Sequence, residues 1–422
     1  MKSNIADPYS FSGRALFALV AAVGLLAPCF AADAPQPDAK RLEIVRKAAL
    51  SGDPRAQTLL GTYYIEGKLL PGDPKEAIVW IRKAAEQGFP KAEYLLGLMY
   101  VQSEGIAHDV AESARWIRRS AEHGDAEGQS QWGLLLSTGA GVPRDERAGF
   151  AWFVKSAEQG EPAGQANLAF AYVNGIGVAR DSTQAMNWAR KAADKGSAGG
   201  QRIVGLLYML GDGVPKNIEQ ASIWLRRAAD QNEKGAQYYL AKLLLAGNGI
   251  AANPPEAMRL LERSAMQGEV PAQSLLGAHY AQGKVVARDD AKAAGWLEKA
   301  ARQGDATALS LFAGMLIAGR GVPKDVERGV RMLQTLADNG APVAQYELAK
   351  LLVSGVLGPP DPVGAYKWII LFEAATGVAE ARAARHELEA KLSPDQQAIG
   401  RREAEAWKRA KGTAPGAGGT KP

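Results

Sequence analysis

A column of small residues, Gly61, Gly97, Gly133, Ala169, Gly205, Ala241, Gly277, Ala313 and Ala349, recurs every 36 residues without a gap. Two further columns keep the same phase. One is Trp80, Trp116, Trp152, Trp188, Trp224, Leu260, Trp296, Met332 and Trp368; the other is Asp73, Asp109, Asp145, Asp181, Asn217, Asn253, Asp289, Asp325 and Asp361. Nine units in register over about 325 residues point to a linear array, in which each unit buries its apolar face on its neighbours.

Each unit has room for two helices. In the first, Ala56, Leu60, Gly61 and Tyr64 stand at i, i+4, i+5 and i+8, the stripe of one helix face, here called helix A. Gly67 and its equivalents follow directly, where a chain leaving a helix turns left-handed. The Asp column then opens helix B. Asp73, Asn253 and Asp361 each precede a Pro, and Asp73/Glu76, Asp109/Glu112 and Asn253/Glu256 keep the spacing of a capping box. Ala77, Trp80, Ala84 and Ala85 are expected to form the buried stripe of helix B, and Gly88 to end it.

The phase reaches both ends. Residues 32–53 hold a lone helix B that caps the first unit, and the nine units occupy 54–378, with Gly377 one position late. Residues 379–411 supply a last helix A and a charged helix opening at Ser393, and the Gly- and Ala-rich residues 412–422 are expected to be disordered. The predicted fold is all-α: a right-handed superhelical α/α solenoid of nine helix-turn-helix repeats.

Residues 1–31 read differently. Lys2 and Arg14 precede a continuous apolar run over 15–27, and Cys29-Phe30-Ala31 places small residues where a signal peptidase cuts, between Ala31 and Ala32. The run is shorter than the roughly 20 residues a membrane span needs. An uncleaved anchor is the alternative. Cys29 has the outline of a lipidation site, but Pro28 before it departs from that pattern. Cys29 is also the only cysteine, so cleavage leaves no thiol, which suits an oxidising compartment and excludes a disulfide framework. The expected location is the periplasm or the outside of the cell, with no membrane span after cleavage. A net charge of +5 without a basic block gives no reason to expect a nucleic-acid partner.

Units reading Ala-Gln-x-x-Leu-Gly-x-x-Tyr, Gly-x-Gly-Val, Asp-x-x-x-Ala-x-x-Trp and Ala-Ala-x-x-Gly resemble the Sel-1-like repeat, a subclass of the tetratricopeptide type. Residues 92–124 carry the pattern with Ser103 in place of the loop Gly, and residues 200–232 carry it most fully. The resemblance implies a scaffold or adaptor, often of bacterial envelopes, where some relatives assist exopolysaccharide export and others bind host or cell-wall molecules. Cysteine-rich relatives associated with penicillin binding or hydrolysis pair two cysteines in each repeat. No repeat here contains one.

The residues that could carry chemistry have structural readings. The Trp column is expected to be inter-helix core and not a stacking ladder. The Asp column reads as caps and not as ligands. Lys83, Arg119, Lys155, Lys191, Arg227, Arg263 and Lys299, with Lys47, read as last-turn cations, the first three facing Glu86, Glu122 and Glu158. His108, His123, His279 and His386 have no ligand spacing, and no nucleophile elbow or phosphate loop stands out. The expectation is a monomeric, non-enzymatic scaffold without cofactor or metal.

Tetratricopeptide resemblance implies a concave helix A face, supplied by the columns of Thr58, Leu59, Thr62 and Glu66. The candidate partner groove is then Tyr94, Phe170, Arg202, Tyr238, Tyr239, Lys242, Tyr346 and Lys350. Tyr238/Lys242 and Tyr346/Lys350 repeat one pair at i, i+4, a composition suited to protein contact. A glycan or exopolysaccharide scaffold is the second reading, favoured if aromatics and carboxamides line the groove in place of Lys. A cell-wall-precursor hydrolase is the third, and it needs a nucleophile and base that the sequence does not display.

Overall fold

The computed structural model describes residues 38–412 apart from Lys68 and residues 103–106. The expected cleavage between Ala31 and Ala32, the lipidation outline at Cys29 and residues 413–422 lie outside the described residues. Among the described residues there are 21 helices and no strand, and no helix is long and apolar enough to cross a membrane.

The chain divides at Asn253 into two units. The first contains α1 (Asp38–Leu50), α2 (Pro54–Glu66), α3 (Pro74–Glu86), α4 (Pro90–Gln102), α5 (Val110–Glu122), α6 (Ala126–Thr138), α7 (Glu146–Glu158), α8 (Pro162–Asn174), α9 (Ser182–Asp194), α10 (Ala198–Leu210), α11 (Ile218–Asp230) and α12 (Lys234–Ala246). The second contains α13 (Pro254–Met266), α14 (Val270–Gln282), α15 (Asp290–Arg302), α16 (Ala306–Ala318), α17 (Val326–Asp338), α18 (Pro342–Ser354), α19 (Pro362–Thr376), α20 (Ala379–Glu389) and α21 (Pro394–Gly412). Each unit is an α/α solenoid in which every helix packs on the next up to α20, while α21 docks back on α19. In the first unit α2, α4, α6, α8 and α10 also touch one another in succession, and the helices B make no comparable contact. The helix A side is therefore the tighter side of that unit.

Local chemistry sets every boundary. The side chains of Asp73, Asp109, Asp145, Asp181, Asn217, Asp289, Asp325 and Asp361 accept backbone N–H groups in the first turn of helix B, as their N-cap reading requires. The reciprocal arm of a capping box is replaced. The Asp73 N–H donates to the Tyr64 carbonyl of the preceding helix at 3.1 Å, and Asp109 does the same to Tyr100 at 2.9 Å, so Glu76 and Glu112 have no N-cap amide to accept from. A second series of caps opens helix A at Asp53, Asp125, Glu161, Ser197, Glu233 and Asp305. Ser393 completes a full box: its N–H donates to Gln396 Oε1 at 2.9 Å and its Oγ accepts from Gln396 N at 3.3 Å. Gly88 and its equivalents take positive φ; where the column holds Asn232, that residue is the only non-glycine among the described residues with positive φ.

The Trp column differs from its reading as core. Trp224 and Trp368 are buried, but Trp80, Trp116, Trp152, Trp188 and Trp296 are half-buried. The sealed column is one residue on, where Ile81, Ile117, Leu225, Leu261 and Leu297 are all 0% exposed. Ile81, Ile117, Leu225 and Leu297 press on the small column of helix A, and Trp80, Trp116 and Trp188 pack against the core clusters while remaining half-buried. The last-turn cations do not pair with the glutamates three residues on. Lys83, Arg119, Lys155, Lys191, Arg227 and Lys299 instead stand 3.8–4.6 Å from the ring centroids of Trp80, Trp116, Trp152, Trp188, Trp224 and Trp296.

Candidate functional site

The eight predicted groove residues separate by burial. Tyr94 (2% exposed), Phe170 (5%) and Arg202 (8%) are packed between successive helices A. Burial pushes the Tyr94 phenol up, and Lys91 lies 5.0 Å from its ring while pairing with Glu127 of the following helix A. Phe170 belongs to the core formed by α8 to α11. Arg202 reaches Glu233, the N-cap of α12, with Nε 3.3 Å from Oε1. Tyr238 and Tyr239 are half-buried on α12 and meet edge to face at 5.0 Å, with the exposed Lys242 ammonium 5.4 Å from the Tyr238 ring.

Tyr346 and Lys350 lie in a different setting, in the second unit. Together with Val353 of α18, Pro360 and Ile369, and Leu388 of α20, they line an open cleft of about 360 Å³. The Tyr346 ring stacks on Phe372 at 4.9 Å, and its hydroxyl donates to Glu380 Oε1 at 3.0 Å; that hydrogen bond, with burial, pushes the phenol up. Lys350 lies 4.9 Å from the same ring and pairs with Glu347 at 2.6 Å. Lys391 and Glu387, themselves paired at 2.7 Å, form the far rim. The arrangement offers a fixed aromatic face, an apolar floor and charges at the edge.

The cleft lies where the repeat pattern ends. Val353 is 41% exposed; in its column Val101 (2%) and Val173 (3%) are buried, Leu245 and Ile317 are half-buried and Ile65 is 42% exposed. The helix that should cover it, α20, is 11 residues long where the other helices A have 13, and it follows a helix B of 15 residues. Val343, in the first turn of α18, is 61% exposed. Sequence reasoning missed Val353, Leu388 and Lys391. The late Gly377 was the available signal, because a shift in phase uncovers whatever the next helix A would have buried.

The histidines take separate roles. His108 is exposed in a loop, burial pushes the His279 imidazole down, and His386 Nδ1 lies 3.3 Å from Glu389. His123 Nδ1 is 2.7 Å from the fully buried Glu93 carboxylate, which also faces Arg119 at 3.0 Å without the alignment of a hydrogen bond. Among the described residues no three His, Cys, Asp or Glu side chains are grouped to hold a metal ion.

Comparison with known proteins places this geometry. The Sel1 repeat model matches nine times, at residues 54–89, 90–125, 126–161, 162–197, 198–233, 235–269, 270–305, 311–340 and 342–371. No curated relative matches the sequence. Among solved structures, a Sel1 repeat protein from Oxalobacter formigenes is 31% identical over 78% of this chain and 98% of its own, with a TM-score of 0.49. A protective antigen of uropathogenic Escherichia coli strains, described as displaying an SLR fold, is 27% identical over 90% of this chain and 99% of its own, with a TM-score of 0.37. Sel1 repeat proteins are generally protein-interaction scaffolds and typically non-catalytic. Nine matched repeats and the helix pairs built on them make this chain a member of the Sel1 repeat family.

Proposed function

We propose that this protein is an exported, non-enzymatic scaffold of the bacterial envelope, periplasmic or secreted, that binds protein partners on the helix A faces of its repeats. The principal contact is the cleft of α18 and α20. The observation that carries the reading is the placement of an exposed apolar side chain, Val353, in one cleft with a tyrosine held by Phe372 and Glu380. An aromatic ring that is already immobilised loses little entropy on binding, which favours it as an anchor. Lysines and apolar side chains line the cleft, and no carboxamide does, which supports a protein segment over a glycan. The polypeptide that fits is one presenting apolar side chains to the floor with polar groups at the rim. Export rests on the pattern of residues 1–31.

The test is partner capture by wild type and by the Tyr346→Ala/Lys350→Ala and Val353→Asp variants. Retained helical signal with lost capture of one polypeptide supports the reading. Equal capture by all three overturns it, and selective retention of glycan supports the second reading. Tyr238→Ala/Lys242→Ala asks whether the α12 face adds a separate contact.

A further inference from the structure

The chain contains three Asn-Gly pairs, Asn174-Gly175, Asn248-Gly249 and Asn339-Gly340. Such a pair can lose the asparagine amide when the following backbone nitrogen attacks the side-chain carbonyl carbon, since glycine leaves that nitrogen uncrowded. The attack requires a nitrogen released from other hydrogen bonds and a backbone able to leave its native conformation.

The fold withholds both at two of the pairs. Asn174 is the last residue of α8 and donates Nδ2 to the Phe170 carbonyl at 3.1 Å, while the Gly175 N–H is held by Ala171 at 2.8 Å. The Gly340 N–H is held by Ala337 at 3.0 Å at the end of α17. Asn248-Gly249 sits two residues farther along the repeat, in the turn after α12, where both residues are exposed. Among the described residues, neither the Gly249 N–H nor the Asn248 side chain has a hydrogen-bond partner.

We propose that Asn248 is a site of covalent modification by deamidation, selected from the three pairs by the fold. The Gly249 N to Asn248 Cγ bond forms and the Cγ–Nδ2 bond breaks. The backbone amide proton passes to water and the side-chain nitrogen leaves as ammonia. Water then opens the cyclic imide. Attack at Cγ yields aspartate, and attack at the main-chain carbonyl yields isoaspartate, whose main chain carries one more methylene. Each product replaces a neutral amide with a carboxylate, and nothing is oxidised or reduced.

The two products meet different surroundings. Asn248 stands one period after Asp212, which pairs with Arg180, and Lys216 stands one period after Arg180. The aspartate therefore arises in register with a cation. Gly249 abuts Ile218 so closely that a Cβ on it would lie 2.9 Å from Ile218 Cβ, so the lengthened main chain of the isoaspartate disrupts that contact.

The experiment uses the full chain, incubated at neutral pH and physiological temperature, digested, and followed by mass spectrometry with isoaspartyl methyltransferase labelling. Parallel samples are native and urea-unfolded. Asn248 is expected to convert at least about tenfold faster than Asn174 and Asn339 in the native protein, the ratio reflecting the local opening that the helix ends require. Asn174 and Asn248 are both followed by Gly-Ile, and in urea their rates are expected to converge. Equal native rates at the three pairs, or a difference between Asn174 and Asn248 that persists in urea, would overturn the proposal.

Discussion

Gly97 of α4 faces Ile117 of α5 so closely that a methyl group placed on Gly97 would lie 2.6 Å from Ile117 Cγ1 and 3.1 Å from the Ser113 carbonyl oxygen. The same geometry joins Gly61 to Ile81, Gly205 to Leu225 and Gly277 to Leu297. Gly97→Ala is therefore expected to destabilise the array by about 1–3 kcal/mol, the usual cost of overpacking. A lowered urea midpoint by far-UV circular dichroism checks this. An unchanged or raised midpoint would mean that the two helices separate without cost.

A buried charge distinguishes the second repeat. Elsewhere Gln87 donates to Gln57 at 2.8 Å, Gln159 to Gln129 at 2.7 Å and Gln231 to Gln201 at 2.8 Å; the corresponding pair here is His123 and Glu93. His123→Ala leaves a fully buried carboxylate to Arg119 alone and is expected to cost about 1–3 kcal/mol. The double variant Glu93→Gln/His123→Gln restores the carboxamide pair of the other repeats and is expected to match or exceed wild type. Chemical denaturation of the single and double variants decides it. A double variant less stable than His123→Ala would show that the charge itself is needed.

Acid should loosen the C-terminal cap. The hydrogen bond from the Tyr366 hydroxyl at 2.6 Å, opposed by burial and reinforced by Arg385 and Arg401, holds the Glu389 carboxyl down at about 2. A depressed carboxyl contributes stability above its unfolded value, and that contribution is lost as pH falls toward the folded one. Hydrogen-exchange protection factors in α20 and α21, referred to the intrinsic rate at each pH, are thus expected to fall between about pH 4.5 and pH 2. Glu389→Gln should remove this acid step. Protection in these helices that stays constant through the window would contradict the assignment.

Much of this was legible because a repeat reports each structural demand nine times. The Asp column, the glycines with positive φ and the small residues at Gly61 and its equivalents each answer a local backbone requirement, and their spacing revealed it. What one helical period cannot resolve is which of two adjacent positions is sealed. Trp80 is larger than Ile81, yet Ile81 is buried because it lies opposite Gly61. The groove residues were less legible for a related reason. Tyr94, Phe170 and Arg202 share their columns with Tyr346 and Lys350, yet the first three are buried and the last two line an open cleft, because what packs against the helix differs from repeat to repeat. That is a property of the neighbour and not of the residue.

The central claim is that the uncovered end of the helix A face, around Val353, is where a protein partner sits. Site-specific photo-crosslinking in intact cells tests it most directly, with the probe at Val353 or Val343 and, as a control on an exposed helix B position, at Val79. The account predicts one dominant polypeptide adduct at Val353 and Val343 that is lost when Tyr346 and Lys350 are replaced by Ala. Equal adducts at Val79, or adducts at Val353 that survive those replacements, would contradict it.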